Sequence, residues 1–95
     1  MQLRSWRERQ GYSLQYMSEL MEARRSEFPR IDLCGPSKRP AYSAANINRW
    51  ELGRAKPDAP DIEYIAWFTD GQVTVRDLHN TRLQYLQSQD MDRAA

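Results

Sequence analysis

The run Ser43-Ala44-Ala45-Asn46-Ile47-Asn48-Arg49-Trp50 gathers side chains suited to reading the edge of a nucleic-acid base. An amide such as Asn48 can make a pair of hydrogen bonds to adenine, and a guanidinium such as Arg49 can do the same to guanine O6 and N7. Ala44 and Ala45 are small enough to allow close approach and to touch thymine methyl groups. Ser43 and Asn46 can hydrogen-bond phosphate, and Arg54 and Lys56 follow in a turn where a phosphate backbone could pass. The alternative reading is the solvent face of a helix whose other side, Ile47 and Trp50, packs inward.

Catalytic chemistry finds poorer material. The chain has one histidine, His79, and one cysteine, Cys34, so no multi-His or Cys/His metal set can form within it. A Cys-His nucleophile pair would draw its cysteine from a Pro/Gly-rich loop, while His79 is more simply a capping or solvated residue of the last helix. Asp58 and Asp61 lie where a helix begins, a position that the helix dipole favours for carboxylates. No glycine loop able to cradle a phosphate occurs. The expectation is a protein that is not an enzyme, with no catalytic residues, no metal, no cofactor and no small-molecule ligand.

The elements that must position these residues read as helices throughout. Leu3, Trp6 and Gln10 share one face of a short first helix that Gly11 can stop as a left-handed cap. Ser13 can cap a second helix carrying Leu14, Met17, Leu20 and Met21 at spacings of three and four, a pattern that continues through Arg24 to Phe28 before Pro29 ends it. Residues 29–41, PRIDLCGPSKRPA, read as a loop. Ser43 is the N-cap of a third helix, with Ile47 and Trp50 on one face and Gly53 at its end. Asp58 or Ala59 begins a fourth, with Pro60 near its first position and Ile62, Ile65 and Ala66 as its buried stripe. Thr74 and Asp77 resemble a capping box opening a fifth helix, on which Leu78, Arg82 and Tyr85 mark one face with Leu83 and Leu86 beside them. That helix is expected to end near Gln89, leaving 90–95 as a frayed tail.

Ninety-five residues, 40% hydrophobic and 28% charged, fit one all-α domain over 1–89. No apolar run approaches the ~18 residues needed to span a bilayer, and Met1 is followed by polar and basic residues rather than an apolar signal core, so a cytoplasmic protein without a membrane partner is expected. A lone cysteine agrees with a reducing compartment. The net charge of +1 hides an asymmetry: up to Pro57 there are eleven Lys/Arg against six Asp/Glu, and beyond it three against seven. A basic face for a polyanion would produce this division, as would an ordinary solvated surface.

Residues 3–20, LRSWRERQGYSLQYMSEL, and 43–57, SAANINRWELGRAKP, resemble the lambda-repressor/Cro-like (XRE) helix-turn-helix family, matching its pattern at Leu3, Arg7, Gly11, Ser13, Ile47, Trp50, Glu51, Gly53, Lys56 and Pro57. The downstream FTDGQVTVRDL is similar to the ending of the YdaS-type Cro-like regulators. This resemblance implies a compact five-helix lambda-repressor-like domain whose helix from Ser43 enters the major groove with its N-terminal residues facing the bases. It also implies an ion pair between Arg7 and Glu51 that joins the first and third helices, and a homodimer on a palindromic site of double-stranded DNA. Tyr85, Leu83 and Leu86 lie beyond the minimal core and could serve the dimer.

The chain departs from the family in two ways. Leu14 and Ser18 stand where the family has glutamine and alanine, which bears on a phosphate contact from the second helix and on its crossing with the third. An insertion over about residues 24–41 brings Arg24, Arg25, Arg30, Lys38 and Arg39 in or beside the turn, and Arg30, Lys38 and Arg39 are candidate phosphate contacts. The function expected is a sequence-specific transcriptional regulator acting as a repressor. The rival is a protein-interaction module on the same scaffold, such as an antitoxin or accessory factor, using Tyr12, Tyr16, Trp67, Phe68, Tyr85 and Leu86.

Overall fold

The computed structural model describes residues 1–29 and 42–94, and among these every regular element is helical. The five α-helices are α1 (Leu3–Gln10), α2 (Leu14–Ala23), α3 (Ala44–Leu52), α4 (Ala59–Phe68) and α5 (Val75–Ala94), with a 3-10 turn at Arg25–Glu27. No helix of the described residues is long and apolar enough to cross a membrane.

Local chemistry sets most of the boundaries. Gly11 takes φ 78° and returns its N–H to Glu8 O, closing α1 in the left-handed conformation that costs glycine least. Ser13 Oγ accepts from Tyr16 N–H at the start of α2, and Ser43 Oγ accepts from Asn46 N–H at the start of α3. Thr74 and Asp77 form a reciprocal capping box: Thr74 N–H donates to Asp77 Oδ2 at 2.9 Å and Asp77 N–H donates to Thr74 Oγ1 at 3.2 Å.

Three boundaries or faces differ from the sequence expectation. Helix α2 stops at Ala23 instead of running to Phe28. Pro29 disfavours helical geometry in the residue before it, and Phe28 is extended at ψ 123°, which turns its ring into the core against Tyr64. On α4 the buried residues are Tyr64, Ile65 and Phe68, whereas Ile62 and Ala66 are only partly covered. The neighbours decide this, because Phe28 and Tyr42 cover the Tyr64 side of the helix. Helix α5 continues to Ala94, since nothing after Val75 is a glycine or proline able to stop it.

The core is built on rings. Tyr64 stacks on Tyr42 at 4.7 Å and meets Phe28 edge-on at 5.3 Å, while Trp6 meets Phe68 edge-on at 5.6 Å. Met17, Met21, Ile47, Ile65 and Val73 fill the space between them. The buried Tyr64 hydroxyl donates to Met21 O, and the Ser18 hydroxyl donates to Tyr42 O at 2.6 Å. Ser18 is thus accommodated where α2 packs on α3: it is nearly as small as alanine, and its hydroxyl satisfies a backbone carbonyl at the crossing.

Candidate nucleic-acid interface

Helix α3 buries Ile47, Trp50 and Glu51 and exposes Ala45, Arg49 and Leu52. The exposed three are spaced by four and three residues, so they form one ridge along the helix, with Ala44 and Asn48 half-buried beside it. The Arg49 guanidinium is held along the ridge by Nη1 donating to Asn46 Oδ1 at 3.0 Å, and Asn46 N–H is already engaged by the Ser43 cap. The ridge and its flank therefore carry a guanidinium, an amide, two methyl groups and the Leu52 side chain on a surface about one helix wide, of which the first three kinds suit contact with base edges in a groove. Leu52 was not among the sequence candidates, although its position seven residues after Ala45 gives the signal.

The buried face fixes the ridge through an ion pair. Arg7 Nε donates to Glu51 Oε2 at 2.6 Å and Arg7 Nη2 donates to Glu51 Oε1 at 3.1 Å, a bidentate geometry, while Nη1 donates to Tyr12 O at 2.8 Å. The Glu51 side chain is 2% exposed and that of Arg7 13%. The hydrogen bond to Glu51 raises the Arg7 pKa above its ordinary value, outweighing the opposing effect of burial. One contact thus joins α1, the turn after it and α3.

Past the ridge, the chain turns at Gly53 (φ 80°), and the exposed side chains of Arg54 and Lys56 follow. No carboxylate partner for either occurs among the described residues. This turn is clamped from α5: Arg82 Nη1 donates to Gly53 O at 2.8 Å and to Arg54 O at 2.9 Å. A Cβ on Gly53 would lie 2.5 Å from Thr81 O and 2.9 Å from Tyr85 Cβ, so α5 presses on the turn as closely as a glycine permits. The sequence placed Arg82 on a helix face but gave no sign of this role, because its partners lie 28 and 29 residues away.

Two further cations, Arg24 and Arg25, are committed to the fold. Arg24 lies over the rings of Trp67 and Phe68 at 4.9 and 5.3 Å, and Arg25 pairs with Glu22 at 3.4 Å and lies over Tyr42 at 5.4 Å. Arg30, Lys38 and Arg39 lie outside the described residues. Of the residues considered as a partner surface, Phe68 is buried and Tyr12, Trp67 and Tyr85 are partly covered, which leaves Tyr16 and Leu86 exposed. Among the described residues no group of three or more His, Cys, Asp or Glu could hold a metal ion.

Comparison with known proteins gives a short likeness. Over 40 residues the chain is 50% identical to three Mycoplasma pneumoniae proteins: two chains named as type I specificity subunits, S.MpnORF615P and S.MpnORF365P, and the specificity subunit of the type I restriction enzyme MpnII. The match takes in 42% of this chain but only 16%, 15% and 12% of those three proteins. No family model matches the chain, and no solved structure matches it.

Proposed function

We propose that this chain is a sequence-specific double-stranded DNA-binding regulator of transcription, a member of the lambda-repressor/Cro-like helix-turn-helix family that reads the major groove with α3. The observation that carries this reading is the ridge of Ala45 and Arg49, flanked by Ala44 and Asn48, on a helix whose opposite face is locked by Ile47, Trp50 and the Arg7–Glu51 pair. Base readout requires such rigidity, because a side chain that must be ordered on binding loses part of the energy that its contact supplies. Arg54 and Lys56 continue from the same helix and would grip phosphate, with Ser43 and Asn46 at its other end.

The partial likeness to specificity subunits of type I restriction enzymes is compatible with a DNA partner and says nothing of repression. Repression by occlusion of polymerase is the mode proposed, exerted by a homodimer on a palindromic operator, with no catalytic step. Such a dimer would set its two recognition helices about 34 Å apart, one helical turn of DNA.

The test is a gel shift with the DNA upstream of the chain's own gene, in the presence of competitor DNA and repeated at several salt concentrations. A band that survives competitor and weakens steeply with salt is expected. Failure to shift any DNA would reject this reading in favour of an interaction module on the same scaffold.

A further inference from the structure

We infer that Arg82, on the C-terminal helix, is a positioning residue for the phosphate grip of Arg54 and Lys56; the inference rests on the DNA-binding reading above. Its Nη1 donates to the carbonyls of both Gly53 and Arg54, the two residues through which the chain leaves α3. The backbone there has two further holds, Gly53 N–H donating to Trp50 O at 3.3 Å and Arg54 N–H donating to Arg49 O at 3.0 Å, which together form the left-handed cap of α3. The Arg82 cation lies at the C-terminal end of α3, where the helix dipole favours positive charge. Its guanidinium carbon is 5.9 Å from the Tyr85 ring centroid, one turn further along α5, so the clamp has support from its own helix.

The consequence is that α5, which makes no direct contact with bases in this reading, sets the conformation of the turn that presents two cations. Without Arg82 the carbonyls of Gly53 and Arg54 return to water, and the backbone of the turn that carries Arg54 and Lys56 must be ordered at the moment of binding. Ordering the backbone of that turn corresponds to an affinity loss of about tenfold. The number of cations that meet phosphate does not change, so the salt slope stays as it was.

Two measurements test this on the whole chain. The first is binding of Arg82→Ala and Arg82→Lys to the DNA that the unmodified protein selects, at several salt concentrations and against a randomised competitor library. The alanine variant should bind about tenfold more weakly with an unchanged base preference and an unchanged salt slope, and the lysine variant, which keeps a charged donor, should recover part of the loss. A slope lowered by about 0.9 would make Arg82 a phosphate contact itself and overturn the positioning role, as would unchanged affinity. The second measurement is amide hydrogen exchange of the free protein. Arg54 N–H should exchange faster in Arg82→Ala while the amides of α1 and α4 keep their protection. Equal exchange at Arg54 would overturn the clamp even if DNA binding were never observed. If the alanine variant loses protection throughout, the same comparison is made with Arg82→Met, which keeps an unbranched apolar stem but no donor, and an unmoved Arg54 amide together with unchanged affinity is then the overturning result.

Discussion

Ser18 and Tyr42 are joined by a 2.6 Å hydrogen bond from hydroxyl to backbone carbonyl, 24 residues apart in the chain. Tyr42 is also held by its N–H donating to Glu22 Oε1 at 3.2 Å and by its hydroxyl donating to Asp61 Oδ1 at 3.2 Å. Its ring stacks on Tyr64, the residue that Phe28 also packs against. Phe28 and Tyr42, which flank residues 30–41 in the chain, therefore pack on a single aromatic side chain. Replacing residues 30–41 with a short Gly/Ser linker should leave the circular dichroism spectrum helical, and because loop closure itself varies slowly with length, any larger fall in the denaturation midpoint measures how far the fold depends on the replaced side chains. Ser18→Ala, by contrast, should cost about 1–2 kcal/mol by leaving the Tyr42 carbonyl without its partner.

The same segment carries Arg30, Lys38 and Arg39. If all three meet phosphate, replacing them together with alanine should lower the salt slope of DNA binding by about two to three, at about 0.9 per contact, and shorten the footprint. An unchanged slope in salt titrations would remove them from the interface.

Arg7 and Glu51 make the most buried ion pair of the described residues. Arg7→Ala leaves the Glu51 carboxylate buried without a counter-charge and should cost about 3 kcal/mol or more in urea denaturation. A double variant with both side chains neutral should be less damaging than the sum of the two single ones, which a double-mutant cycle measures directly.

Specificity and affinity should separate along α3 and its following turn. Arg49→Ala or Asn48→Ala should cost about 1–3 kcal/mol and relax preference at one base pair, whereas Lys56→Ala should weaken all sequences alike and lower the salt slope by about one. Competitive selection from a randomised operator library distinguishes the two patterns. An Arg49→Ala protein with the original preference would take Arg49 out of base reading.

Asp77 links the start of α5 to the N-terminus. Burial tends to raise its pKa, but the hydrogen bond from the Met1 ammonium at 2.8 Å, together with the bonds from Thr74 N–H and Oγ1, outweighs this and holds the carboxyl below its ordinary value. A depressed carboxyl stabilises the fold above its unfolded pKa, about 3.9, and that contribution disappears as pH falls through the folded value. Asp77→Ala should therefore lower stability at neutral pH by about 1 kcal/mol, the usual size of a lost cap, with the gap to the unmodified protein closing as pH falls below the ordinary carboxylate range in denaturation series.

Leu83 and Leu86 are 40% and 41% exposed on α5. If they form the dimer contact, replacing both with glutamate should convert a dimer to a monomer in light scattering and weaken operator binding while the helical spectrum is kept. A monomeric unmodified protein on an asymmetric site would reject the dimer.

What the sequence determined by itself is what depends on neighbours within about four residues. Ser13 and Ser43 as caps, Gly11 and Gly53 as left-handed stops, the Thr74–Asp77 box and the inward face of α3 were all legible, because each is a bond or a periodicity confined to one helical turn. Only the tertiary structure decided which face of α4 is buried. Its sequence Ile62-Glu63-Tyr64-Ile65-Ala66-Trp67-Phe68 is apolar nearly all round, so periodicity offers no choice, and the choice falls to the rings of Phe28 and Tyr42. The same holds for Arg82 on the turn after α3 and for Ser18 on Tyr42. Both reach backbone carbonyls, which every residue carries, so no side-chain pattern in the sequence can mark the partner, and only folding brings them within hydrogen-bonding distance.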